Sequence, residues 1–204
     1  ADQLLEARDR LIIDRGIIAL GGVTADTVSM VRMWGFGGVA VLGDVWKYWG
    51  TADFREHFRQ LWRAANTPPV VLSIAGSDCS GGAGIQADIK TIAGLNAYAA
   101  SVVTAITAQN TLGVQSVFPV QADAVRQQLQ SVLDDLPVAA IKIGMIPNAA
   151  VAKVVAEALS AHPHLPVVCD PVMVSTSGRR LMEPNTLRVM EKRIFPRCIL
   201  ITPN

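Results

Sequence analysis

The sequence predicts an α/β protein whose larger part is an open, mostly parallel sheet flanked by helices. Three observations predict this. Short apolar runs ending in glycine alternate with amphipathic stretches along the 204 residues, the pattern of parallel strands covered on both faces and joined by helical crossovers. The glycine-rich and polar stretches follow the apolar runs, where loops at the carboxyl ends of strands gather ligands. Composition changes once: Trp34, Trp46, Trp49 and Trp62 all precede "AANTPP" (64–69), after which alanine, valine and glycine dominate. Pro68 and Pro69 stop a helix, because each lacks an N–H and restricts the residue before it. The boundary falls near Thr67, giving pieces 1–66 and 67–204.

The first piece reads helix 2–14, strand 17–21, helix 25–34, strand 38–42 and helix 52–64. Its strands, "IIALG" and "GVAVL", are short apolar runs bounded by glycine. Two βα units cannot bury both faces of a two-stranded sheet, so this piece is expected to continue something that precedes it. The second piece opens with strand 70–75, the apolar "VVLSIA", and helix 83–94 after a glycine loop. Strand 100–107 and the short strand 114–119 follow, then the amphipathic helix 121–134. Strand 139–143, helix 148–161, strand 166–169, helix 184–193 and strand 198–202 complete the alternation. The last strand runs directly into "LITPN", and this end too is expected to be cut.

Bulk properties exclude several classes. A net charge of +1, from 18 basic and 17 acidic residues, leaves no electrostatic footprint for nucleic acid or an anionic membrane. Cys79, Cys169 and Cys198 are widely spaced without a C-x-x-C, against a disulfide framework or structural zinc. No apolar stretch approaches about 18 residues, and the N-terminus is unlike a signal peptide. A cytoplasmic protein without nucleic-acid or membrane partners is expected.

The chemistry is expected at the strand ends. In "AGSDCSGGAG" (75–84), Gly81, Gly82 and Gly84 allow a close backbone approach, and the next helix offers N–H groups to a ligand; the other reading is a tight βα turn capped by Ser or Asp. Neither G-x-x-x-x-G-K-[ST] nor G-x-G-x-x-G is present. Gly82 is expected to tolerate no side chain. Asp88, four residues after Gly84, faces the same mouth as an acceptor for an amino group, or else is an ordinary solvated residue. Gln109 ends a strand, and its amide both donates and accepts toward a heterocycle edge. Met145, after "IKIG", offers a flat apolar contact or packs in the core. Asp170 in "CDPVM" is a strand-end carboxylate suited to a metal–phosphate network or to capping a loop. Met173 and Cys198 read as core. His57, His162 and His164 have no partner in reach by sequence and are assigned no chemistry.

Four separated stretches, "VLSIAGSDCSGGAGIQADIKTIAGLNAYAASVVTAITAQNTLGVQSV", "IKIGM", "VVCDPVMVSTSGRRLM" and "LITPN", together resemble hydroxymethylpyrimidine/phosphomethylpyrimidine kinase of thiamine biosynthesis. That family belongs to the ribokinase-like superfamily, and the resemblance runs from about Val70 to Asn204. It implies that Gly76, Ala83, Asp88, Gln109, Met145 and Val172 hold the pyrimidine, with ATP and Mg2+ as cofactors. It places Asp170 and Asn204 in the magnesium and phosphate network and implies a homodimer. No residue of the chain matches the family's catalytic cysteine or aspartate, and the ATP-binding half is expected beyond "TPN". The 204 residues are therefore expected to bind the pyrimidine without turnover. The family usually has Pro at Cys79 and Gly at Asn96, changes expected to matter little to the ligand.

"GIIALGGVTADTVSMVRMWGFGGVAVLGDVW" resembles the last two βα units of thiamine phosphate synthase or its non-catalytic relative TenI, a (β/α)8 barrel. The resemblance implies a phosphate site on the backbone of Gly21, Gly22, Leu42 and Gly43, after the last two strands. Gly43 stands where that family commonly has serine, and Asp44 is expected to bring a carboxylate near the phosphate. Both resemblances imply one bifunctional thiamine-biosynthesis fusion. Two other readings stand: a pyridoxine- or pyridoxal-type vitamin kinase, against which Gln109 with Met145 speaks, and a non-catalytic pyrimidine-binding module.

Overall fold

A computed structural model describes residues 6, 7, 10, 13, 14, 16–174, 178 and 180–203. Most of the expected helix 2–14, and Asn204, lie outside the described residues. The chain divides into two compact units, Ala1–Thr67 and Pro68–Asn204.

In the first unit, β1 (Ile18–Leu20) and β2 (Gly38–Ala40) pair in parallel, Ile18 opposite Gly38 and Leu20 opposite Ala40. Helices α1 (Val28–Met33), α2 (Gly43–Tyr48) and α3 (Phe54–Asn66) accompany them. Val23, Val28 and Val31 form a small core against Trp34, Phe36 and Val39. Both strands are shorter than expected, and Ile18 and Leu20 are 62% and 76% exposed. Helix α2 was not expected from the sequence. Asp44 in its first turn and Lys47 in its last complement the helix dipole, and Gly50, at φ +80°, lies just beyond its end.

The second unit is built on one six-stranded sheet. Its strands are β3 (Val70–Asp78), β4 (Tyr98–Asn110), β5 (Gly113–Pro119), β6 (Val138–Ile143), β7 (Val167–Cys169) and β8 (Leu200–Ile201). The spatial order is β5-β4-β3-β6-β7-β8, parallel except for the antiparallel β4–β5 hairpin. Helix α4 (Gly84–Gly94) packs on β3 and β4, while α5 (Ala122–Asp135), α6 (Ala149–Ala161) and α7 (Pro184–Arg193) pack in sequence. Alternation along β3 sorts the two faces. Leu72 and Ile74 join the core with Val102, Val125, Ile143, Val155 and Met190, and Ser73 between them faces α4, where its hydroxyl meets Asp88.

Local chemistry explains the boundaries. Asn148 caps α6 by accepting from Val151 N at 3.0 Å, and Pro184 opens α7. Asn96, at φ +59°, takes the left-handed position after α4 that asparagine tolerates better than most side chains. Strands β3 and β4 outrun their predicted spans. Ser77 bridges Gly84 across the loop, and the hairpin prolongs β4 through a two-residue turn. Asn110 Oδ1 holds that turn, accepting from Leu112 N at 3.0 Å and Gln115 Nε2 at 3.2 Å. Where β4 shifts register, the Gln128 side chain takes over the ladder bonds of Val103, at 2.9 Å to N and 3.2 Å to O.

Leu72 and Leu112 are 0% and 87% exposed. Leu72→Ala is expected to lower the stability of the second unit by about 2–5 kcal/mol, and Leu112→Ala by less than about 0.5 kcal/mol. Denaturant titrations of both variants check this; similar losses would place the core elsewhere.

Candidate functional site

The glycine loop is organised around a carboxylate. Asp78, 2% exposed, ends β3 and turns back over the loop. Its Oδ1 accepts from Ser80 N and Ser80 Oγ, each at 2.8 Å. Its Oδ2 accepts from Gly82 N at 3.0 Å and Ala83 N at 2.9 Å. Burial pushes the Asp78 carboxyl up, and the hydrogen bonds from Ser80, Ala83 and Gly82 outweigh it, leaving it below its ordinary 3.8. The N–H groups expected to face a ligand are thus turned onto an internal anion, in the arrangement that helix N-termini offer to bound anions. Around this knot, Gln86 accepts from Asp78 N and donates to Ser77 Oγ, both at 2.8 Å. Lys90 Nζ reaches Gly81 O at 2.8 Å.

The loop requires glycine at Gly84, and Gly81 at φ +79° is also in the left-handed region, which corrects the expectation for Gly82. Gly84 lies at φ +56°, and a Cβ there would overlap the Gly76 carbonyl oxygen. At Gly82, φ lies outside the left-handed region and a Cβ would meet Asp78 Oδ2 at an ordinary 3.7 Å. The backbone that approaches so closely is strand β3 of the same chain.

Beside this loop, at the carboxyl ends of β3, β4, β6 and β7, lies a cavity of about 600 Å³. Gly76, Ala83, Asp88, Gln109, Met145 and Val172 all line it, as does Asp170. Met145 is 7% exposed, and its carbonyl is tied down by Thr104 Oγ1 at 2.6 Å. Its sulfur would lie 3.1 Å from a Cβ on Gly76, so bare backbone at Gly76 lets the thioether lie flat. Gln109 Oε1 accepts from Thr107 Oγ1 at 3.2 Å. The Gln109 backbone is clamped in both directions by Cys79: the thiol donates to its carbonyl at 3.1 Å and accepts from its N–H at 3.4 Å. Cys79 therefore joins the loop to the strand end that carries Gln109, a structural tie that its expected insignificance left out.

Two residues were missed. Asp88, expected to face the mouth as a free acceptor, is engaged by Lys142 Nζ at 3.0 Å (Oδ1) and 2.9 Å (Oδ2), and Ser73 Oγ donates to Oδ2. Lys142 also lines the cavity. The available signal was a lysine in the middle of "AIKIG" and a serine within "VVLSIA", each a polar interruption of an apolar strand.

Asp170 follows β7, its N–H bonded to Ile143 O at 2.8 Å and its carbonyl to Val172 N at 2.9 Å. Among the described residues no group of three or more His, Cys, Asp or Glu stands together as a metal site. One carboxylate opening on a cavity fits Mg2+, which binds through one or two carboxylates together with substrate phosphates. The neighbouring Cys169 thiol is pushed up to about 12 by burial and by Cys198 and Asp170, so it stays neutral. Among the described residues, no helix is long and apolar enough to cross a membrane.

In the first unit, Gly21 and Gly22, at φ +87° and +66°, follow β1, and Leu42 and Gly43 follow β2. Parallel pairing of Leu20 with Ala40 puts both loops at one end of the sheet. Asp44 meets His57 Nε2 at 2.8 Å, with side-chain exposures of 11% and 13%, and Tyr48 stacks on the imidazole at a centroid distance of 3.8 Å. His57 thus has a partner after all, 13 residues away in sequence. His162 Nδ1 meets the Ala158 carbonyl at 3.0 Å, also a partner unforeseen from sequence.

Residues 78–204 match the family model of phosphomethylpyrimidine kinase. A thiamine biosynthesis bifunctional protein ThiED from Geobacter sulfurreducens is 40% identical over 202 residues, covering 98% of this chain and 41% of that protein. A hydroxymethylpyrimidine/phosphomethylpyrimidine kinase from Salmonella typhimurium is 48% identical over 133 residues, 65% of this chain and 50% of that protein. The chain thus spans half or less of the length of these relatives. The crystal structure of phosphomethylpyrimidine kinase from Clostridium difficile superposes with a TM-score of 0.62 and 43% identity, over 67% of this chain and 59% of that one.

Two variants separate the loop's glycines. Gly84→Ala is expected to cost at least about 1–3 kcal/mol from backbone strain, and Gly82→Ala much less. Thermal denaturation reads the difference, and equal losses would remove the requirement at Gly84. Asp78 supplies a pH signature. Because its folded-state carboxyl lies below the unfolded value of 3.8, its contribution to stability is full above 3.8 and is lost as pH falls through the lower folded value. The stability gap between wild type and Asp78→Asn is expected to narrow below pH 3.8, measured by denaturation across acid pH; a gap independent of pH would refute the role of the charge.

Proposed function

Because the chain belongs to the phosphomethylpyrimidine kinase family, we propose that it serves the ATP-dependent phosphorylation of 4-amino-5-hydroxymethyl-2-methylpyrimidine and of its monophosphate, in thiamine biosynthesis. The observation that carries this reading is the convergence of Gly76, Ala83, Asp88, Gln109, Met145 and Val172 on one cavity at the strand ends. They are drawn from two strands, a helix and three loops spread over almost a hundred positions of sequence. The fold is that of the ribokinase-like kinases.

In this reading a flat heteroaromatic ring lies against the Met145 thioether and the bare Gly76 backbone, and the amides and carboxylate around it fix its orientation. Phosphoryl transfer needs little covalent help from protein; it needs positioning and neutralisation of charge. Mg2+ would supply that neutralisation at the phosphate oxygens, with Asp170 as one carboxylate on the cavity and Asn204 as a further member of the network. Six of the described cavity residues are those that the resemblance assigns to the pyrimidine, and none is assigned to activating the hydroxyl. The contribution proposed for these 204 residues is therefore binding without turnover.

The first unit is read as the end of a thiamine phosphate synthase-like barrel in a bifunctional protein, supported by the relative from Geobacter sulfurreducens that matches 98% of the chain. Gly21, Gly22, Leu42 and Gly43 are its proposed phosphate contacts. A cytoplasmic homodimer completes the proposal.

Isothermal calorimetry with the hydroxymethylpyrimidine, and a separate assay for its phosphorylated product with ATP, test binding and turnover independently. Asp88→Ala is expected to weaken pyrimidine binding by roughly 1–3 kcal/mol. Unchanged affinity would remove Asp88 from the site, and no binding by the wild-type chain would overturn the substrate.

A further inference from the structure

Lys142 lies next to the carboxyl end of β6, between Ile141 and Ile143, which are 2% and 0% exposed. Parallel register places it beside Ser73 of β3. Both side chains reach Asp88 of α4, so two adjacent strands hold one carboxylate of the helix above them. Room for the ammonium comes from Gly144, where a Cβ would lie 3.0 Å from Lys142 Nζ. Asp88 and Lys142 both line the cavity, with side-chain exposures of 16% and 27%.

The hydrogen-bonding capacity of this group can be counted. A carboxylate offers about four acceptor sites and an ammonium about three donors. Lys142 occupies one acceptor site on each oxygen of Asp88, and Ser73 occupies a second on Oδ2. One acceptor site is left, on Oδ1. Lys142 spends at most two of its hydrogens on Asp88 and keeps at least one. The pair thus presents one acceptor beside at least one donor, with no net charge between them.

Resting on the pyrimidine reading above, we infer that Lys142 is a specificity-determining residue: it donates to a ring nitrogen while Asp88 accepts from the exocyclic amino group next to it. The Lys142–Asp88 pair reads the amidine edge of a neutral aminopyrimidine. A free carboxylate would reward a cationic ring instead, because an unpaired anion gains most from an opposite charge.

Calorimetry on the 204-residue chain compares the hydroxymethylpyrimidine with its carbocyclic counterpart, in which both ring nitrogens are C–H. The counterpart keeps the amino, methyl and hydroxymethyl groups and is uncharged at neutral pH. Wild type is expected to prefer the pyrimidine by roughly tenfold or more, the scale of a hydrogen bond to a charged group. Lys142→Met is expected to lose most of that preference while still binding both ligands. An undiminished preference in Lys142→Met, measured in mildly alkaline buffer that keeps the ring neutral, would overturn the inference, since the Gln109 amide would then be reading the ring nitrogens. Equal affinities in the wild type would overturn it as well, a result that needs no variant. A wild-type chain that binds neither ligand would overturn the pyrimidine reading itself, and this inference with it.

Discussion

The Asp78 carboxylate is the interaction on which the site depends. A loop with glycine at 81, 82 and 84 loses more conformational freedom on folding than almost any other, and something must specify one conformation for it. Four donors from Ser80, Gly82 and Ala83 converge on the two oxygens of Asp78. The carboxylate thus occupies the nest that a bound anion occupies in other glycine loops. What results is a preformed wall, fixed in place before any ligand arrives, and the backbone carbonyl of Gly76 crosses so close to Gly84 that no side chain fits between them.

A second polar group serves the cavity in another way. The ion pair of Asp88 with Lys142 is partly buried, where an isolated charge would be costly and a matched pair with a further hydroxyl donor is tolerable. Ser73, 0% exposed, completes it from the neighbouring strand. Hydrogen bonds therefore position the acceptor in the pocket as firmly as packing positions Met145, and preorganisation of that kind saves the entropy a ligand would otherwise have to supply.

The first unit shows the same economy with less core. Its buried residues are few, and its strands leave Ile18 and Leu20 on the surface. The Asp44–His57 pair, with Tyr48 stacked on the ring, ties α2 to α3. The carboxylate at the mouth of β2 is thereby held by an imidazole, a local arrangement different from a loop of bare backbone N–H groups.

Much of this was legible in the sequence, for a physical reason. Hydrophobic periodicity and the glycine and proline breaks are local properties, and they located every strand of the second unit to within a few residues. Gln109, Met145 and Asp170 were legible because each ends or follows an apolar run that the parallel topology carries to one end of the sheet. Asp88 was legible because it lies one helical turn past the glycine loop, and Gly76, Ala83 and Val172 were implied by the family resemblance alone. Other features lay beyond the sequence. Which glycine must be glycine depends on how far β3 runs past Ala75 before Ser77 bridges Gly84. Asp78 reads as a loop residue until four N–H and O–H groups are seen to point at it. Lys142 and Asp88 are 54 positions apart, as His57 and Asp44 are 13 apart, and no periodicity joins them. Local pattern determined the elements and the end of the sheet where chemistry gathers; the pairing of charges was decided only by the tertiary structure, because a charge inside a protein is set by whichever distant group the fold delivers to it.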